Sequence, residues 1–189
     1  MDGVADLAER FSAGEIRVSH EQNLVLPHVA RKDLPALWEG ARALGLATPN
    51  IGLLTDLVCC PGGDFCSLAN ARSIPVAAAI QQRFDNLDYQ FDLGCVNACG
   101  HHHIGHIGIL GVDKNNEEWY QVTIGGREGA AAALGKVIGP SFAAGQIPGV
   151  IERLLEVYLA ARHEGEIFID AVERIGLEPF KARVYGGAA

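Results

Sequence analysis

The sequence predicts an α+β fold that is divided into two domains. Helical spacing and short strand-like segments alternate over the first 46 residues, and the turn-rich segment ATPNIG follows at 47–52. Beyond it, two alternating segments are joined by a polar turn, and two amphipathic helical patterns lie near the C-terminus. We therefore predict one domain over residues 1–47 and a larger one over residues 48–189.

The first domain is predicted to contain a helix, two strands and a second helix. Apolar residues between Val4 and Phe11 follow helical spacing, and GEIRVSH and NLVLP have the pattern of two short strands around a tight turn. Asp33 is placed to cap a helix over LPALWEGARALG, with Pro35 in its first turn and Gly45 at its end.

The second domain is predicted to begin with an apolar strand, LLTDLV, that leads into a glycine-rich loop with three cysteines. Ser73 is placed to cap a helix from Ile74 to about Phe84. IGILGV and EWYQVTIGG predict two strands joined by the turn DKNNE. Two amphipathic helices are predicted near the end of the chain, around Leu154 and around Val172.

The composition excludes several classes of function. The chain of 189 residues has a net charge of −8, which argues against binding nucleic acid or an anionic membrane through a basic patch. No apolar run approaches the length of a membrane span. The N-terminal segment MDGVADLAERFSAG lacks the basic and apolar pattern of a signal peptide, so we expect a cytoplasmic protein.

The five cysteines are clustered in one part of the chain, which favours a metal or cluster site over disulfides in a reducing compartment. They are Cys59, Cys60, Cys66, Cys95 and Cys99. Five residues separate Cys60 from Cys66, and three separate Cys95 from Cys99. Structural zinc pairs leave two to four residues between ligands, so the wider arc suits an iron–sulfur cubane better. Spacing alone leaves Cys59 open as a ligand, although we interpret it as a packed neighbour.

The segments CCPGGDFCSLANARS and GCVNACGHHHIGHIGILG resemble the sirohaem-containing sulfite and nitrite reductases. That family has the pattern Cys-x5-Cys followed by Cys-x3-Cys, which holds a 4Fe–4S cluster. The resemblance covers nearly the whole chain: residues 1–47 resemble the family's ferredoxin-like half-domain, and residues 48–189 its sirohaem/4Fe–4S-binding domain. It implies one copy of the family's tandem repeat, matching the C-terminal half of a sulfite reductase haemoprotein (beta subunit).

The resemblance also implies the site residues. Cys60, Cys66, Cys95 and Cys99 would bind the cluster. Cys99 would in addition be the axial ligand that bridges to the sirohaem iron. Asn97 lies between two of these predicted ligands, and its amide would either contact the cluster or the haem or stabilise the loop through a turn.

The implied reaction is the six-electron reduction of sulfite to sulfide, and the reduction of nitrite to ammonia is the alternative. A separate flavoprotein or ferredoxin is the expected electron donor. We also expect a partner, either the N-terminal half of the reductase or a second subunit, because the chain lacks a basic cluster for an anionic cofactor. Three other possibilities stay open: a complete small reductase, a cofactor-binding or electron-transfer fragment inactive alone, and a zinc-stabilised interaction domain.

Three departures from the family pattern leave the choice of anion open. Val96 stands where the family often has Pro, His101–His103 where it often has Arg, and His106 where it usually has an acid. The four histidines have possible roles as proton donors, cationic contacts or transition-metal ligands, and packing is the alternative.

Three arginines are possible partners of the sirohaem carboxylates, with solvation at the surface as the favoured alternative. They are Arg17, Arg72 and Arg127.

Overall fold

The computed structural model describes residues 1–19, 21–85 and 102–186. The chain divides into two compact units, Met1–Asn50 and Ile51–Ala189. Their mixture of helices and antiparallel strands confirms the predicted α+β class. The domain boundary near residue 47 stays a prediction. Among the described residues, none of the helices combines the length and the hydropathy that a membrane span requires.

The first unit has the predicted order of elements. These are α1 (Asp2–Phe11), β1 (Arg17–Val18), β2 (Leu24–Val25) and α2 (Leu34–Ala43). The two strands pair antiparallel, and α1 contacts α2. Gly45 has a φ of +72°, a conformation that suits glycine at the end of a helix.

The predicted side-chain cap at Asp33 was wrong. Asp33 does precede α2, but it belongs to the short 3-10 turn Arg31–Asp33, which runs directly into the helix. Its backbone is already helical (φ −94°, ψ −9°), and its carboxylate makes no capping hydrogen bond. An N-cap residue usually adopts an extended backbone that directs its side chain back to the first turn.

The second unit is built around an antiparallel sheet. Its strands are β3 (Ile107–Lys114), β4 (Glu117–Ile124), β5 (Lys136–Val137) and β6 (Phe142–Ala143). β3 and β4 form the predicted hairpin, and both residues of its turn, Asn115 and Asn116, have positive φ. A two-residue turn of this kind matches the twist of the strands, and Asn tolerates it. β5 and β6, which the sequence did not predict, pair with β4.

Four helices accompany the sheet among the described residues of the second unit. They are α3 (Ile74–Phe84), α4 (Ile147–Ala161), α5 (Phe168–Ile175) and α6 (Glu178–Tyr185). The first three confirm the predictions, whereas α6 was not predicted separately. Ile80, Val122, Ile151 and Phe180 bring α3, β4, α4 and α6 into one hydrophobic core, where all four are fully buried. The core therefore joins the sheet to α3, the helix that follows the first three cysteines of the chain.

The predicted strand LLTDLV was wrong, because residues 53–58 form turns and irregular backbone. Leu54 still packs in the core. The Asp56 carboxylate accepts a hydrogen bond from the Gly52 N–H at 2.9 Å, and the Gln81 amide donates to the Thr55 carbonyl at 3.4 Å. A strand needs a neighbouring strand to satisfy its backbone groups, and here side chains satisfy part of them instead.

An ion pair between Glu166, which precedes α5, and Arg174, in the last turn of α5, gives the stability of the second unit a pH dependence. Arg174 donates to both carboxylate oxygens of Glu166, at 2.7 and 2.6 Å, and the His163 N–H donates at 2.9 Å. These hydrogen bonds lower the pKa of Glu166 from 4.5 to about 2. Because the folded state holds this pKa below the unfolded value, the stabilisation is present above about pH 4.5 and is lost as the pH falls towards 2.

We expect Glu166→Gln to lower the thermal midpoint at pH 7 and to converge with the wild type as the pH falls from about 4.5 towards 2. Thermal denaturation monitored by circular dichroism across pH 7 to 3 measures this difference. Glu178→Gln is the matched control, since Glu178 lies in an exposed pair with Lys181 and should change the midpoint little. A difference between Glu166→Gln and the wild type that is constant over this pH range would contradict the assignment.

Candidate functional site

Three cysteines lie in the segment 58–73, here named the cysteine loop, which leads into α3. Its backbone is closed by its own hydrogen bonds. A 3-10 turn covers Gly62–Asp64, and the Cys66 N–H donates to the Gly62 carbonyl at 2.9 Å. The Gly63 N–H donates to the Ala71 carbonyl, also at 2.9 Å. Cys66 therefore lies at the end of a tight turn, and Cys60 stands two residues before its start.

Gly62 brings this turn close to the start of α3. It has a φ of +62°, and a Cβ at this position would lie 2.4 Å from the Ser73 backbone nitrogen and 2.6 Å from Ser73 Oγ. No side chain fits there without a shift of the backbone, so glycine is required for both its conformation and its size. The turn consequently places the Cys60 thiol beside Ser73.

Ser73 precedes α3 as predicted, but its side chain does not cap the helix. Its Oγ lies 3.3 Å from Cys60 Sγ, and it makes no capping hydrogen bond. The backbone of Ser73 is helical rather than extended (φ −100°, ψ −41°), which directs the hydroxyl away from the N–H groups of the first turn. The sequence did not predict the contact between Ser73 and Cys60. The pair Gly62–Gly63 was the one feature that indicated a close approach of the backbone here.

The three cysteines of the loop are all free thiols of intermediate burial, yet they differ in environment. The Cys59 thiol donates to the Cys60 carbonyl at 3.2 Å. Burial, and secondarily the neighbouring Cys60, raises the pKa of the Cys59 thiol. A protonated thiol directed at the backbone is what we expect of a packed neighbour.

The cysteine loop is anchored on the β3–β4 hairpin. The Tyr120 hydroxyl donates to the Arg72 carbonyl at 2.7 Å, and burial raises the pKa of this phenol. The Arg72 guanidinium pairs with Glu118 at 3.1 Å. A Cβ on Gly111 would lie 2.6 Å from the Ala71 Cβ, so the strand and the loop are in close contact. The sheet therefore supports the segment that connects Cys66 to α3.

The histidine-rich segment lies as turns against the end of β4 rather than on a strand. Its carbonyl groups accept three hydrogen bonds. The His102 carbonyl accepts from Thr123 Oγ1 at 3.4 Å. The His103 carbonyl accepts from the Gly135 N–H at 2.6 Å, and the His106 carbonyl from the Gly125 N–H at 3.1 Å. The His102 ring is buried, with its centroid 3.8 Å from that of His103. The roles of these side chains stay predictions, and His101 lies outside the described residues.

The second half of the predicted site, with Cys95, Asn97 and Cys99, lies outside the described residues, as does the apolar segment 93–96. Within residues 1–19, 21–85 and 102–186, no group of three or more His, Cys, Asp and Glu is placed to hold a metal ion. The cysteine loop holds three free thiols, and thiolates are the ligands of iron–sulfur clusters. Its donor set and its tight glycine turn fit half of a four-thiolate site.

The three arginines considered as partners of an anionic cofactor each pair with a carboxylate of this chain. Arg17 pairs with Glu15, Arg72 with Glu118, and Arg127 with both Asp170 and Glu173. Arg127 is partly exposed, with 23% of its side chain accessible to solvent. Its two acidic neighbours on α5 explain why a cation is held there.

Comparison with known families identifies both parts of the chain. Residues 53–187 match the family described as the nitrite and sulphite reductase 4Fe-4S domain, and residues 1–44 match the nitrite/sulfite reductase ferredoxin-like half domain. The chain belongs to the nitrite and sulphite reductase family. The resemblance predicted from the cysteine pattern is thereby confirmed. Family membership implies a 4Fe–4S cluster and sirohaem as cofactors.

The relatives include both types of reductase. The chain is 29% identical over 165 residues to the ferredoxin–nitrite reductase of Synechococcus elongatus, covering 80% of this chain and 32% of that protein. It is 28% identical over 191 residues to a sulfite reductase (ferredoxin) of Mycobacterium tuberculosis, covering 92% of this chain and 34% of the relative. The structure of the Mycobacterium tuberculosis NirA protein matches with a TM-score of 0.76 and 28% identity, over 94% of this chain and 36% of that one. The chain thus spans about a third of the length of these relatives.

Proposed function

We propose that this chain is the C-terminal part of a sulfite reductase haemoprotein, which reduces sulfite to sulfide at a sirohaem coupled to a 4Fe–4S cluster. The observation that carries the proposal is the cysteine loop, in which Cys66 closes a glycine turn and Cys60 lies beside Ser73 at the start of α3. Reduction of nitrite to ammonia is the second candidate, because a ferredoxin–nitrite reductase stands at 29% identity.

Four cysteines would hold the cluster in this proposal. Cys60 and Cys66 come from the cysteine loop, and Cys95 and Cys99 from the second pair. Cys99 would also be the axial ligand of the sirohaem iron, with the Asn97 amide in contact with a cofactor. When bound, the cluster supplies stored electrons and the sirohaem supplies the iron at which the anion is reduced. The chain's own residues position these groups.

The working reductase in this proposal includes polypeptide beyond these 189 residues, as the N-terminal half or as a second subunit. Sirohaem and its substrate are both anionic and need cationic partners. Arg17, Arg72 and Arg127 are each engaged by acids of this chain. The relatives that the chain matches are about three times as long. We propose ferredoxin or a flavoprotein as the electron donor, since relatives are named for ferredoxin.

Anaerobic reconstitution of the full chain with iron, sulfide and sirohaem tests the proposal. We expect about four iron and four labile sulfide per chain, with one further iron and visible bands where sirohaem is held. Zinc at one per chain with no iron would refute the proposal in favour of a zinc-stabilised domain.

Activity with a chemical reductant separates the two anions. We expect slow or no turnover by the chain alone, and sulfite reduced faster than nitrite once the missing half is supplied. Robust sulfite reduction by the chain alone would contradict the need for a partner, and faster nitrite reduction would favour the second candidate.

A further inference from the structure

The Ser73 hydroxyl lies close to a predicted cluster ligand of the cysteine loop. Its Oγ stands 3.3 Å from Cys60 Sγ, within the range of a hydrogen bond that involves sulfur. Ser73 is also the N-cap residue of α3, a position where Ser usually bonds to the helix backbone. Here the side chain makes no such bond. The helix therefore does not account for this hydroxyl, and the contact with Cys60 does.

The position of the hydroxyl is set by the backbone on both sides. The Ala77 N–H donates to the Ser73 carbonyl at 3.0 Å, which holds Ser73 on the first turn of α3. Gly62 lies so close that a Cβ would be 2.6 Å from Ser73 Oγ. The hydroxyl thus occupies a narrow space between the glycine turn and the helix, and its distance to Cys60 does not depend on a mobile surface side chain.

The direction of the hydrogen bond follows from the state of the cysteine. In the free protein either the thiol or the hydroxyl could donate. A cysteine bound to iron is a thiolate, which has no proton, so that only the serine can donate. Hydrogen bonds to the sulfurs of a cluster stabilise the more negative, reduced state and are one of the factors that set its potential.

We propose that Ser73 is a positioning residue, whose hydroxyl donates a hydrogen bond to the cluster-bound thiolate of Cys60 and raises the reduction potential of the cluster. This inference rests on the proposed function, because it needs Cys60 as a ligand. It adds that the first turn of α3 contributes to the site through a side chain that binds neither iron nor substrate.

The test is a redox titration of the full chain reconstituted with the cluster alone, followed by electron paramagnetic resonance. Ser73→Ala should shift the midpoint to a lower potential, up to about tenfold in the one-electron equilibrium, or about 59 mV. Ser73→Thr, which retains the hydroxyl, should restore most of the shift. Ser67→Ala removes an exposed hydroxyl from the same loop and should leave the potential unchanged. Iron–thiolate stretching frequencies from resonance Raman spectra should change in Ser73→Ala only.

Each outcome decides the inference. An intact cluster with the same potential in Ser73→Ala and the wild type overturns this inference and leaves the proposed function standing. An equal shift in Ser67→Ala also overturns it. If Ser73→Ala loses the cluster, the Ser73→Thr variant decides. A reduction potential of Ser73→Thr close to that of the wild type supports the inference. A reduction potential of Ser73→Thr lowered by the full expected shift overturns the inference. A wild-type chain that binds no iron overturns the proposed function and this inference together.

Discussion

Replacing Cys60 by Ser should abolish cluster binding, whereas replacing Cys59 by Ser should leave it intact. Both changes remove one sulfur from adjacent positions of the cysteine loop, so they form a matched pair. The Cys59 thiol donates to the Cys60 carbonyl, and burial raises its pKa. Cys60 instead lies beside the Ser73 hydroxyl, with Cys66 at the end of the glycine turn. These contacts favour Cys60 over Cys59 as the predicted ligand.

The measurement is iron and labile sulfide per chain after identical reconstitution. We expect Cys60→Ser and Cys66→Ser to fall from about four iron to nearly none, because a serine hydroxyl is a far weaker ligand for iron than a thiolate. Cys59→Ser should retain the iron of the wild type. The thermal midpoint should rise on cluster loading in the wild type and in Cys59→Ser only, since binding a metal centre adds to folding stability. Equal iron loss in Cys59→Ser and Cys60→Ser would contradict this ligand assignment.

The helices and the long hairpin were predictable because their signals are local. Apolar residues at helical spacing determine α1, α4 and α5, and the residues Asn115–Asn116 suit the turn between β3 and β4. The segment LLTDLV failed for the complementary reason. An apolar run shows that a segment is buried, as Leu54 is, but a strand also requires a partner strand, which is a long-range property. The two-residue strands β5 and β6 depend on pairing with β4 in the same way.

The sequence predicts where the candidate site lies in the chain, but not the contacts that support it. The spacing of the cysteines identifies the loop, since it is a local pattern. The supports of the loop come from Tyr120 and Glu118, which lie 48 and 46 positions after Arg72 in the sequence. Ser73 shows a conflict between two rules: its position favours a helix cap, and the folded loop directs its hydroxyl to Cys60 instead. Such contacts follow from tertiary structure, which overrides the local preference.

Replacing Gly62 by Ala should displace the cysteine loop and lower both the stability of the second unit and its iron content. Two separate costs add at this position. A left-handed backbone costs a non-glycine residue about 1–2 kcal/mol. The new methyl would also lie 2.4 Å from the Ser73 backbone nitrogen, and relieving such overpacking typically costs a further ~1–3 kcal/mol. Because the atom it meets is backbone, the turn or the first turn of α3 must move, and Cys60 moves with it.

Gly165→Ala is the control that separates these costs. Gly165 has a φ of +73° in the same unit, but nothing lies within 4 Å of its added Cβ. Gly165→Ala should therefore lose only the stability that a left-handed backbone costs a non-glycine residue. It should bind as much iron as the wild type does. Thermal denaturation of both variants without the cluster, together with iron content after reconstitution, measures the two effects. A Gly62→Ala protein as stable as Gly165→Ala, with full iron content, would show that the loop yields without moving Cys60, and that Gly62 is needed for its conformation alone.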